Sequence, residues 1–141
     1  MMAHPTVEAV AEALTRALRG GLHARVLKRE AELLRLAPPS ADNQMDEWWA
    51  ALWVEQQVAD ILMGMGNNRR GDAARELFGL ALHARGLRLG ERRTIASISL
   101  NITERSLVRS WEQDIVWDVA VELYRRSVIE LSLDMTENDL R

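Results

Sequence analysis

The chain has 141 residues, 48% hydrophobic and 28% charged, which suits one domain with a proper core and excludes a disordered chain. It contains no cysteine, which excludes disulfides, thiolate metal sites and a cysteine nucleophile and leads to the expectation of a reducing, cytoplasmic setting. The net charge of −3 excludes a uniformly basic nucleic-acid binder, so any phosphate contact would need positive charge concentrated locally.

The opening MMAHPTVEAVAEAL lacks a charged start and a long apolar run, so no signal peptide is expected. A first helix is predicted over 6–19, with Val7, Val10, Leu14 and Leu18 on one face, Thr6 as cap and Gly20-Gly21 as stop. A second is predicted over 22–36, with Leu22, Val26, Leu33 and Leu34 inside and a mixed-sign solvated face opposite. Pro38-Pro39 closes it, and PPSADNQ reads as a loop. His4 and His23 read as incidental surface residues.

The third helix, 45–63, is the most apolar. Trp48, Trp49, Leu52, Trp53, Val54, Val58, Ile61 and Leu62 cover more than one face. Such a helix is central to a bundle or lies at a partner surface, and Trp48, Trp49 and Trp53 are the candidate partner-binding residues. Glu55, Gln56, Gln57 and Asp60 interrupt it, so it is no membrane span. Residues 64–71 read as a turn without a phosphate-loop pattern. Asp72 is expected to cap a fourth helix reaching 84 or 85, with Leu77, Phe78, Ala81 and Leu82 inside and Gly86 behind its end.

The stretch 90–111, GERRTIASISLNITERSLVRSW, reads as two helices about a three-residue corner. The first spans 91–99, and Leu100, Asn101 and Ile102 form the corner. Asn101 suits the left-handed turn, and Thr103 caps the second helix. This is helix-turn-helix spacing, in which the second helix enters a major groove of double-stranded DNA. Glu104, Arg105, Ser106 and Arg109 face outward on its first turns; arginine can fork onto guanine and glutamate can accept from cytosine. Arg88, Arg92 and Arg93 are the candidate phosphate contacts. From Arg85 to Ser110 six arginines stand against two acids, a local +4 that leaves −7 for the rest of a chain with a net charge of −3. The same spacing also fits two ordinary amphipathic helices of a bundle.

LNITERSLVRSW resembles the recognition half of helix-turn-helix regulators. With the stretch before it, the chain resembles region four of sigma factors and phage Q-type antitermination proteins, over about the last third of its length by motif. Against that pattern, Asn101 replaces the usual corner glycine, Ser97 holds the small-residue position, Ser110 stands where an apolar residue is usual, and Trp111 comes one place late. The resemblance implies a phage-encoded transcription regulator, with RNA polymerase as a second partner.

After Trp111 the helical pattern runs on through Ile115, Val116, Val119, Leu123 and Leu131, so 112–134 is expected as an extension. Glu122 with Arg126 is an expected pair, Asp114, Asp118 and Glu122 form an acidic row, and MTENDLR is expected to fray. A bend near 112–114 would suit a DNA reader, whereas an unbroken rod would suit a structural or dimer-forming helix.

His4, His23 and His83 have no ligand spacing, and no nucleophile, metal or phosphate-binding motif occurs. The expectation is therefore an all-α single domain of about six helices, 6–85 supporting the helix-turn-helix-like part, with no enzyme activity, metal or cofactor. The competing expectation is a helical interaction protein without sequence-specific DNA binding, either a small subunit of a larger complex or a phage inhibitor of a host machine; a homo-dimer or larger protein complex is the expected protein assembly.

Overall fold

In a computed structural model, residues 4–39 and 46–139 are described, with side chains as far as Glu130. Every regular element among them is helical. The expected loop at 38–44 lies mostly outside the described residues.

Helix α1, Val7–Ala17, starts as its sequence dictates: the Thr6 hydroxyl accepts from the Ala9 N–H at 3.1 Å. It ends at a left-handed Gly21. Val10, Ala13 and Leu14 enter the core.

The single helix expected over 22–36 is instead two short turns, α2, Ala24–Leu27, and α3, Ala31–Leu34. Long-range contacts override the helical periodicity. The Glu55 carboxylate accepts from the Ala24 N–H at 2.7 Å and fixes where α2 starts. Glu30, extended at the start of α3, accepts from Arg16 of α1 at 2.9 Å.

Helix α4, Glu47–Met63, is capped by Asp46, which accepts from the Trp48 N–H. Ala50, Ala51, Val54, Val58, Ile61 and Leu62 are buried, making it central to the bundle.

Helix α5, Arg69–Leu77, begins earlier and stops sooner than expected. Asn68, not Asp72, is the cap, accepting from the Gly71 N–H at 2.7 Å, while Asp72 pairs with Arg75. Gly71 fits because a Cβ there would lie 2.5 Å from the Gly66 carbonyl oxygen. The chain leaves the helix through left-handed Gly79, and Leu82–Ala84 forms only a 3-10 turn ahead of Gly86. Leu82, expected inside, is 82% exposed.

Helix α6, Leu89–Leu100, packs on α5. It ends at Asn101, the one non-glycine left-handed residue described, at φ 57° and ψ 47°. Helix α7, Glu104–Ser106, passes into a π turn, Leu107–Trp111, and then into α8, Glu112–Asp139. The helix continues through 112–114, and the irregularity falls just before it, in the π turn at Leu107–Trp111; the rod runs past the expected end at 134 and into the tail expected to fray. α8 is the spine of the molecule, packing on α1 and α4, with Ile115, Val116, Val119, Ala120 and Leu123 in the core.

Candidate nucleic-acid interface

The corner forms as its residues predict. The Asn101 and Ile102 N–H groups donate to Ile98 and Ser97 carbonyls at 3.0 Å, closing α6 in the left-handed manner. The Thr103 hydroxyl accepts from the Ser106 N–H at 3.1 Å and opens the second helix. Ala96, Leu100 and Leu107 are buried and Ile102 packs against the same core, so the two helices are held at a fixed angle.

The π turn explains why the sequence read one position out of step after Leu107. In a regular helix, Trp111 would lie beneath Leu107. The i→i+5 turn adds one residue, so Leu107 and Glu112 face inward while Val108, Arg109, Ser110 and Trp111 face outward. With that extra residue, Leu107 lines up with Ile115, eight residues on, and both are fully buried.

The candidate residues separate into two groups. Thr103, Glu104, Arg105, Ser106 and Arg109 are exposed on the first turns of the second helix, and Arg88 is exposed at the start of α6. Among the described residues, Arg88, Arg105 and Arg109 have no ion-pair partner. Glu104 accepts from the Thr94 hydroxyl at 2.6 Å, a second tie between the two helices.

Arg92 and Arg93 are not available to phosphates. Arg92 is 1% exposed. Its guanidinium donates to the carbonyls of Leu18 at 2.5 Å, Arg19 at 3.1 Å and Leu87 at 3.0 Å, and also to that of Leu77. Leu18 and Arg19 follow α1 and Leu77 ends α5, so one cation reaches the carbonyl ends of two helices, sharing the Leu18 oxygen with the Gly21 N–H, and meets the negative ends of their dipoles. Burial pushes the Arg92 guanidinium down from its ordinary value, and neighbouring Arg93 adds to this. The signal was present in the sequence: Arg92, Ala96 and Leu100 recur every four residues on the inner face of α6. Arg93 forks onto the buried carboxylate of Glu112 at 2.8 and 2.9 Å, and that hydrogen bonding raises its pKa. The acidic row is partly neutralised as well, since Asp118 pairs with Arg70 at 2.5 Å and Glu122 with Arg126 at 3.2 Å and Arg125 at 2.7 Å.

Trp48 and Trp49 are exposed at the start of α4 beside exposed Leu52, with the Lys28 ammonium 4.8 Å from the Trp48 ring centroid. Trp53, half-buried, packs against the core. Sequence reasoning missed a small polar cluster. Buried Glu76 accepts from Ser99 at 2.6 Å and lies 2.5 Å from His83, linking α5, α6 and the 3-10 turn. The carboxylate sits between serine and imidazole, so the histidine cannot take the serine proton, and the order required for nucleophilic catalysis is not met. Among the described residues no helix is long and apolar enough to cross a membrane. Comparison of the chain with protein-family models, curated proteins and solved structures gives no match.

Proposed function

We propose that the chain binds double-stranded DNA through the first turns of the helix opened by Thr103. The observation that carries this reading is the pair of exposed, unpaired cations Arg105 and Arg109, set beside Ser106 behind a rigid left-handed corner. Arg105, Ser106 and Arg109 reach base edges or phosphates, Glu104 adds discrimination, and Arg88 grips the backbone. The sequence resemblance carries the finer parts, regulation of transcription, a phage source, and RNA polymerase as a second partner, while the absence of cysteine carries the cytoplasmic setting.

The test is fluorescence anisotropy with mixed-sequence duplex DNA at several salt concentrations. The Arg105→Ala, Arg109→Ala double variant should bind at least about tenfold more weakly and reduce the salt slope by about two. Absence of wild-type binding even at low salt would sink this reading. The exposed apolar cluster of Trp48, Trp49 and Leu52 favours a second one, in which this face docks a protein partner.

A further inference from the structure

Between the end of α1, α2 and the chain that leads from α5 into α6 lies a cleft of about 450 Å³, within the size range of small-molecule sites. Every ionisable side chain that lines it is basic: His23, Arg25, Arg29 and Arg92. Gly79 and Gly86 leave part of its wall as bare backbone, which lets a ligand approach closely. Beyond His23 and Gly79 it adjoins a second hollow of about 320 Å³, lined by Leu22, Ala59, Leu80, Glu55 and Arg85.

The chain itself does not neutralise these charges. Arg25 and Arg29 are exposed and have no ion-pair partner among the described residues. Standing four residues apart, they repel one another. The acids close by are engaged elsewhere: Glu30 and Glu32 pair with Arg16, and Glu55 accepts from the Ala24 N–H. None of the three lines the basic cleft. Arg92 is bonded to neutral carbonyls, so behind the wall it adds charge rather than contact. Three arginines around one concavity without a carboxylate call for a multiply charged anion, and guanidinium groups match phosphate oxygens in geometry. Duplex DNA needs an open surface on the order of 1,000 Å², which a cleft of this size is not.

We propose that this cleft binds the phosphate groups of a small molecule between Arg25 and Arg29. Binding relieves the repulsion between the two arginines, and the second hollow seats the rest of a ligand that has an organic body. This holds whether or not the chain binds DNA.

The test is isothermal titration calorimetry of the full chain with inorganic pyrophosphate and with ADP at fixed ionic strength, circular dichroism confirming that each variant is folded. The wild type should bind pyrophosphate one to one and saturate below about 1 mM. Arg25→Gln and Arg29→Gln should each weaken binding about tenfold. Arg69→Gln removes the same charge from the start of α5, the end away from Arg92, and should change binding less than about twofold. ADP binding tighter than pyrophosphate would assign the second hollow to an organic body, and equal affinity would assign the cleft to inorganic phosphates. No saturable binding up to about 10 mM pyrophosphate, or the same loss in Arg69→Gln as in Arg25→Gln, would overturn the proposal. So would variants that lose duplex DNA and keep pyrophosphate, because the two arginines would then serve nucleic acid.

Discussion

Arg92 shows how misleading residue type alone can be. In a run of arginines beside a helix-turn-helix it reads as a phosphate contact, yet its place every four residues with Ala96 and Leu100 makes it a core residue. Its bonds run to peptide carbonyls rather than to a carboxylate, so no acid elsewhere in the sequence advertises the partnership. Arg92→Met should leave the Leu77, Leu87 and Arg19 carbonyls without the guanidinium as donor, only Leu18 keeping the Gly21 N–H, and lower stability by about 3 kcal/mol. Urea unfolding measures this, and a loss under about 1 kcal/mol would show that water or a neighbour replaces the guanidinium. Glu122 offers a pH readout. Hydrogen bonds from Arg125, then Arg126, hold its carboxyl below the ordinary 4.5 against the opposing effect of burial. A depressed carboxyl stabilises the fold above its unfolded value, and that contribution fades as pH falls through the folded value. Glu122→Gln should therefore cost up to about 1 kcal/mol at neutral pH, the partly exposed pair being screened, with the gap closing below about pH 4. A gap of the same size at pH 3 and pH 7 would remove the ion pair as its cause.

At the scale of elements, local chemistry was readable where it acts locally. The Thr6 and Thr103 caps, the Asn101 corner and the central α4 follow from their own residues. The break between α2 and α3 does not, because Glu55 and Arg16, far along the chain, decide it. Asn68 and Asp72 are both good caps, and only the Asp72–Arg75 pair shows that Asp72 lies within the helix. The π turn hid as an apparent misfit, with Ser110 and Trp111 each one place from where an apolar pattern wants them. If that turn holds one residue too many, removing one should repair it. Deleting Ser110 restores i,i+4 spacing between Leu107 and Glu112 and leaves every inward residue in place. Such a deletion should change stability by less than about 1 kcal/mol, whereas deleting Thr94 from regular α6 rotates Ala96, Ser97 and Leu100 out of the core and should cost about 3 kcal/mol or more. Thermal melts of the two deletions decide this, and equal losses would contradict the register account.

For the whole molecule, the all-helical single domain was legible from periodicity, while the manner of its closure was not. The last helix serves both halves of the chain. Ser127 donates to the Leu36 carbonyl at 2.6 Å across 91 residues of sequence, and Arg126 reaches Gln57 at 3.1 Å. Arg92 makes the same kind of closure, since Leu18 lies 74 residues before it and Leu77 only 15. The Leu77 tie needs only α5 beside α6, whereas the Leu18 tie cannot form until the end of α1 has docked there too. A bond of that span is expected to form late, so Arg92→Met should raise the unfolding rate more than it slows refolding, as stopped-flow kinetics would show. The buried guanidinium is then a latch: it sets how long the assembled bundle stays closed, and leaves the speed of assembly to the helices themselves.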